Sequence, residues 1–237
     1  MRQIATFDAY GTLIDFRISD ATRRVLADRL PVDGVDSEEF LDDFRVMRFQ
    51  AVLELYRSYR EVLRSSLRCA MRLHGIPQSA SDGDALAAAV PAFGPFPEVP
   101  DALRGVKSLG YEIAIISNSD DDLIGQNLAR IGVDFDHVIT AQQARAYKPS
   151  RQTFEYAYST MDVAPAQVTH VAQGWEYDLI PTRDLGLRHR IWINRYRRPG
   201  SSRYQPYDEL PDLSAVSSLL EAGVKHYKTD QFRIDPA

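Results

Sequence analysis

Apolar and polar residues recur along this chain with two different periods, and the change of period divides it. Ile4, Ala5, Thr6 and Phe7 form a short apolar, β-leaning run with a turn signal directly behind it, which predicts a buried strand. The spacing then becomes helical. Val25, Leu26 and Leu30 mark a helix over 21–30 that Pro31 closes. Asp36 or Ser37 can cap a second helix, and Glu38 and Glu39 suit its first turn. Phe40, Leu41, Phe44, Met47, Ala51 and Leu55 follow on one face of it. A third helix is predicted from Tyr59 to His74 on Val62, Leu63, Leu67 and Met71, with Gly75 as its stop. A short one follows from Ala85 to Val90. A βα crossover needs only one helix, so residues 15–97 read as an inserted helical domain.

Pro91, Pro95, Pro97 and Pro100 punctuate the chain as a linker does. Beyond them, strands and helices alternate. Helices are predicted at 101–109, 121–131, 150–161, 180–185 and 211–222, and strands at 111–116, 137–140, 168–172 and 190–193. Such alternation implies a parallel sheet covered on both faces. The fold class is α/β: a Rossmann-like core from 1–14 and 98–224, the helical insertion at 15–97, and a polar, frayed tail at 225–237.

Composition narrows the function classes. The chain has 237 residues, 44% hydrophobic and 26% charged, as a soluble globular protein does. A net charge of -5 argues against a nucleic-acid footprint. The Arg-rich stretch 45–72 is interleaved with acidic residues and reads as a solvated helix face. The single cysteine, Cys69, permits no intrachain disulfide and no Cys-rich metal site. There is no apolar run of about 18 residues and no basic-then-apolar start, so neither a membrane span nor a signal peptide is expected. A cytoplasmic location fits. The five histidines show no pair at metal-ligand spacing and receive no role, and no GxSxG or P-loop is present.

Candidate chemistry collects at predicted strand ends, where open α/β sheets bind ligands. The first strand delivers Asp8, Tyr10 and Thr12, and the second delivers Ser117, Asn118, Ser119 and Asp120. Lys148 lies in Tyr147-Lys148-Pro149, and Asp178 follows the strand in HVAQGWEYD. Singly, each has a bland reading: a turn cap, a helix cap, a surface lysine. A carboxylate ending a buried strand, however, is costly unless something binds or uses it.

The string FDAYGTLID resembles motif I of the haloacid dehalogenase superfamily, hhhDxxGTL. Its Asp-x-Tyr-Gly-Thr form looks like the L-2-haloacid dehalogenase branch. The order Asp, Ser, Lys, Asp at strand ends matches the family pattern over residues 1–195, and the helical insertion lies where that family carries its cap. The resemblance implies Asp8 as nucleophile with Thr12 positioning it, and Ser117 and Asn118 contacting a substrate carboxylate. It implies Lys148 as the fixed positive charge, and Asp178 orienting Lys148 or activating the hydrolytic water. Tyr10 fits the same branch. A homodimer through the cap helices is a further implication.

The chain also departs from that branch. Where the branch uses a cap arginine, a gap-free alignment places Gln50, with Arg48 and Arg45 nearby; Arg48 is the candidate for an anionic substrate. Phe154 stands for a phenol, with Tyr156 two residues on. Gln173 replaces a Ser, and Trp175 an Asn beside the nucleophile, where Trp175 either shapes the pocket or packs as a core residue.

An Asp attacking carbon gives an ester, and one attacking phosphorus gives an acyl phosphate. Phosphoryl transfer needs charge neutralisation, usually by Mg²⁺ on oxygen ligands. The family's phosphatases carry a second Asp where this chain has Tyr10, and a GDxxxxD motif whose first Asp is Gln173 here. Glu176 is the one nearby substitute. The leading expectation is therefore a cofactor-free hydrolytic dehalogenase acting on a small anionic, 2-haloacid-like carboxylate. The alternatives are a Mg²⁺-dependent phosphatase, with Asp8 and Asp178 on the ion, and a non-catalytic binding protein if Trp175 fills the pocket.

Overall fold

The computed structural model describes residues 2–30 and 36–231, with side chains as far as Gly223. After β1 (Ile4–Phe7) come four helices: α1 (Ile18–Val25), α2 (Ser37–Val52), α3 (Tyr59–Leu73) and α4 (Asp82–Ala89). Then follow α5 (Val99–Ser108), β2 (Glu112–Ser117), α6 (Asp121–Ile131), β3 (His137–Thr140), α7 (Ala141–Ala144) and α8 (Arg151–Met161). The chain closes with β4 (Val168–Ala172), β5 (His189–Ile193), β6 (Asp208–Leu210) and α9 (Val216–Gln231).

The six strands form one parallel sheet in the order β3-β2-β1-β4-β5-β6. All four residues of β1 are buried, as a central strand covered on both faces requires. Ile4 pairs with Glu112 of β2 and Val168 of β4, and Phe7 with Ile115 and Val171. The chain leaves β1 for β2 on one side and later returns to β4 on the other. The carboxyl end of β1 is thus the topological switch point, where a crevice opens.

Helices α2 and α3 pack on each other, as do α3 and α4. Side chains from the elements around the sheet tie this helical layer to it. Asp120, after β2, accepts hydrogen bonds from the Tyr59 and Arg60 backbone N–H groups at 2.8 and 3.1 Å, satisfying the open start of α3. The Tyr147 hydroxyl donates to the Arg57 carbonyl at 2.8 Å. The Asn127 amide donates to the Val90 and Phe93 carbonyls, both at 2.9 Å.

Several elements differ from the sequence pattern. The helix expected over 21–30 runs from Ile18 to Val25, and residues 26–30 tighten into turns that Arg29 ties to Asp82 and to the Pro77 carbonyl; Pro31 lies outside the described residues. The helical turn expected at 180–185 comes earlier, at Trp175–Leu179, where the Gly174 carbonyl accepts from both Asp178 and Leu179. Pro181 has no N–H with which to continue it. β6 is a three-residue edge strand with little burial, so no apolar alternation announces it. The last helix continues past Ala222 to Gln231, through the start of the expected tail, because no proline interrupts it; residues 232–237 lie outside the described part. Among the described residues no helix is long and apolar enough to cross a membrane.

Candidate active site

Asp8 is the first residue beyond β1, held in register by its own N–H, which donates to the Val171 carbonyl at 3.1 Å. The chain then turns sharply. Gly11 has φ +86°, a left-handed conformation that costs glycine nothing, and a Cβ there would press on the Gln173 side-chain oxygen at 3.1 Å. This turn brings Thr12 back to the carboxylate, and its hydroxyl donates to Asp8 Oδ2 at 2.7 Å. Thr12 Oγ1 also accepts from the Gln173 N–H at 2.8 Å, so one hydroxyl joins the loops after β1 and β4.

Lys148 meets Asp8 from the far side. Its Nζ lies 2.8 Å from Asp8 Oδ1 and 2.7 Å from Asp178 Oδ1, so a single ammonium bridges two carboxylates. The three side chains are 1%, 8% and 0% exposed as residues. Burial pushes the Asp8 carboxyl above the usual carboxylate range; Lys148 opposes the rise and the Asp178 charge adds to it. Burial acts on Asp178 in the same direction, but Lys148 and His170 outweigh it and hold that carboxyl below the usual range. Burial also works against the Lys148 charge, yet its two carboxylates prevail and hold the ammonium above the ordinary lysine range.

His170, which the histidine spacing left without a role, sits behind Asp178. Its Nε2 is 3.0 Å from Asp178 Oδ1, and its Nδ1 is 2.8 Å from Thr6 Oγ1. An ionised carboxylate only accepts, so Nε2 carries a proton and donates it to Asp178, while Nδ1 is held by the Thr6 hydroxyl. The search for histidine pairs could not find it, because its partner is an aspartate eight residues on. The available signal was its place: an ionisable side chain in a strand that is buried throughout. Phe154 stands edge-on to the imidazole, ring centroids 5.8 Å apart, while Tyr156 is exposed.

Ser117 and Asn118 behave differently from one another. Ser117 Oγ is buried with no hydrogen-bond partner among the described residues. Asn118 lines the cavity, but its amide is committed: Oδ1 accepts from the Lys148 N–H at 2.7 Å and Nδ2 donates to the Lys148 carbonyl at 2.8 Å. It clamps the lysine backbone rather than offering a free amide. Tyr10 also lines the cavity, with its ring. Its hydroxyl turns to Asn127 Oδ1 and Ser119 Oγ at 3.0 and 3.2 Å.

The cavity above Asp8 and Lys148 measures ≈ 460 Å³. Arg45, Arg48, Phe49 and Val52 of α2 line it, an i, i+3, i+4, i+7 face. Gln50 falls off that face and is exposed, so Arg48, not Gln50, stands at the site. The Arg48 guanidinium lies over the Phe44 and Phe16 rings, 4.8 and 5.7 Å from their centroids, and its Nε is buried without a partner among the described residues. Trp175 leans on Trp192 and meets Tyr204 and Tyr207 edge-on. It forms one wall and leaves the cavity open. Glu176, also on the wall, is exposed.

A divalent cation on Asp8 and Asp178 would need several free oxygen ligands. Both Oδ1 atoms share the Lys148 ammonium, Asp8 Oδ2 takes the Thr12 hydroxyl, and position 173 offers a neutral amide. Among the described residues, Asp178 Oδ2 alone of the four carboxylate oxygens has no partner. This donor set does not fit Mg²⁺.

A family model for haloacid dehalogenase-like hydrolases matches residues 3–181. The chain is 27% identical over 220 residues to the (S)-2-haloacid dehalogenase of Pseudomonas sp. (strain YL), covering 91% of this chain and 93% of the relative. It is 26% identical over 226 residues to (S)-2-haloacid dehalogenase 4A of Burkholderia cepacia, covering 92% and 94%. Among solved structures, the L-2-haloacid dehalogenase of Xanthobacter autotrophicus with chloropropionic acid covalently bound superposes with a TM-score of 0.79. The identity there is 19%, the coverage 93% of this chain and 99% of that one, and the likeness is one of fold.

Proposed function

The chain belongs to the haloacid dehalogenase-like hydrolases, and from that premise we propose that it cleaves a carbon–halogen bond in a small 2-haloacid-like carboxylate, without a cofactor, through an ester on Asp8. The observation that carries this reading is the Lys148 ammonium seated between Asp8 and Asp178. It supplies in fixed form the positive charge for which phosphoryl transfer recruits a metal ion. The (S)-2-haloacid dehalogenases similar to this chain along its length support the choice of carbon over phosphorus.

In the first step an Asp8 oxygen attacks the halogen-bearing carbon, and the halide leaves with the bonding pair. Thr12 and Lys148 hold the carboxylate in line for attack. Arg48, on the cavity wall, binds the substrate carboxylate, and Asn118 serves by fixing Lys148; the Ser117 hydroxyl, buried behind the wall, reaches that carboxylate only if the substrate displaces the lining. In the second step Asp178 Oδ2 takes a proton from water, whose oxygen attacks Asp8 Cγ. The tetrahedral intermediate collapses with loss of the hydroxy-acid alkoxide, which recovers the proton from Asp178. The regenerated Asp8 carboxyl releases its own proton to solvent. One water is consumed, and a 2-hydroxy acid, a halide and a proton are formed.

The same reading takes residues 15–97 as a cap that excludes water from this chemistry. It takes the enzyme as cytoplasmic and as a homodimer, the latter checked by sedimentation. The test of the activity is halide release from 2-chloro and 2-bromo acids in EDTA. Release by wild type and none by Asp8→Asn is the expected result. No release, with Mg²⁺-dependent phosphate release from small esters instead, overturns the proposal.

A further inference from the structure

A histidine inside a buried parallel strand loses its hydration and must recover hydrogen bonds from the protein. His170 is 1% exposed, between Thr169 and Val171 of β4, and both its ring nitrogens are partnered: Asp178 Oδ1 at 3.0 Å and Thr6 Oγ1 at 2.8 Å. Phe154 closes one side of the ring. Thr6 lies directly across from His170 in the β1–β4 pairing, so the sheet register places its hydroxyl against Nδ1.

The consequence falls on Asp178. Lys148 Nζ and His170 Nε2 approach the same oxygen, Oδ1, at 2.7 and 3.0 Å. A carboxylate held by lysine alone is free to rotate about its terminal torsion and exchange its two oxygens. Two donors converging on Oδ1 from different elements remove that freedom and set the direction of Oδ2. That oxygen is buried, has no partner among the described residues, and overlies Gly174, where any Cβ would collide with it. Gly174 belongs to the cavity wall. Oδ2 is therefore presented, unencumbered, beside the cavity.

We infer that His170 is a positioning residue for the hydrolytic half of the reaction: by donating Nε2–H to Asp178 Oδ1 it aims Oδ2 at the water that cleaves the Asp8 ester. The inference rests on the proposed ester mechanism. It separates the two half-reactions, because ester formation uses Asp8, Thr12 and Lys148, none of which touches His170. Removing the imidazole slows ester hydrolysis and leaves alkylation of Asp8 largely intact.

The experiment is rapid-quench halide release, with intact-protein mass spectrometry, on wild type, His170→Leu, His170→Gln and Thr6→Val. For His170→Leu the expected result is a halide burst near one per chain, a turnover about a hundredfold slower, and ester-bearing protein as the accumulating species. Glutamine keeps an N–H donor in reach of Oδ1, so His170→Gln retains most of the turnover. Thr6→Val, which spares the imidazole but removes the hydroxyl that anchors its Nδ1, accumulates ester to a smaller degree. An equal loss of burst and turnover in a folded His170→Leu, glutamine as damaging as leucine, or no ester in any variant overturns the inference. If His170→Leu does not fold, His170→Gln and Thr6→Val decide it. Wild type that releases no halide from any 2-haloacid is a different failure, that of the parent reading, and the inference falls with it.

Discussion

Replacing Lys148 by methionine removes one charge and little volume, and so isolates what the ammonium does. In the wild type that charge sits 2.8 Å from Asp8 Oδ1 and 2.7 Å from Asp178 Oδ1, with 1% of its side chain exposed. Taking one partner from a buried ionic group leaves uncompensated charge and costs about 3–5 kcal/mol. Here two carboxylates are left facing each other, and the one already raised by burial, Asp8, takes up a proton. The sign of the pH effect follows. A carboxyl whose folded pKa is raised adds stability below its unfolded pKa and loses it as pH climbs through the folded value. The deficit of Lys148→Met against wild type is accordingly smallest in mild acid and reaches its full size near neutral pH. Urea unfolding at both pH values measures it. Turnover falls below detection: in mild acid Asp8 is protonated and no nucleophile, and near neutral pH nothing balances its charge or holds it in line for attack. The double variant Lys148→Met/Asp178→Asn, which also removes the second charge, regains much of the stability and none of the turnover. A single variant within about 1 kcal/mol of wild type at both pH values refutes the bridging role, since removing one partner of such a buried pair costs several times that.

Gly174→Ala forces a Cβ onto Asp178 Oδ2; with Asp178 displaced, turnover is expected to fall about a hundredfold in a protein whose circular dichroism is unchanged, and an active variant contradicts the placement of Oδ2. Arg48→Gln removes a charge-assisted contact to the substrate carboxylate, so steady-state kinetics should show KM rising about tenfold or more with kcat nearly kept, whereas Gln50→Ala leaves both unchanged. The profile of kcat/KM against pH should rise through an acid limb whose midpoint lies above the ordinary 3.8 of aspartate, because Asp8 must be ionised to attack. Lys148, held above 10.5, imposes no alkaline limb in the ordinary lysine range, and a midpoint at or below that of free aspartate speaks against Asp8 as the titrating nucleophile.

The features legible in the sequence were those written in local chemistry. The apolar run Ile4–Phe7 ending in Asp8 and Gly11 specifies both a central strand and a tight turn behind it. Asp121–Ile131, His137–Thr140 and Val168–Ala172 are bounded by capping residues and glycine, and they form where expected. What the pattern missed depends on contacts between distant segments. β6 is a short, exposed edge that exists through pairing with β5. The turn at Trp175–Leu179 is the local exception: the Gly174 carbonyl accepts two N–H groups, and the wide turn this makes has no apolar period of its own. Asn118 carries the expected residue type, but its amide serves Lys148, which a linear reading cannot reveal. The choice between Arg48 and Gln50 was accessible: Arg45, Arg48, Phe49 and Val52 share a helical face that excludes Gln50. His170 was hidden because its meaning lies in the register of β1 against β4 and in an aspartate on the following turn.

The ester on Asp8 is tested most directly by isotope transfer in a single turnover. Enzyme in excess over a 2-haloacid is allowed to react in ¹⁸O-water, and both the product and the peptide containing Asp8 are weighed by mass spectrometry. Attack by Asp8 followed by hydrolysis at its Cγ places the heavy oxygen in the Asp8 carboxylate, while the hydroxy acid carries away an unlabelled protein oxygen. Label in the product hydroxyl and none in Asp8 after that first turnover would mean that water attacks the substrate carbon directly, and that Asp8 is not the nucleophile.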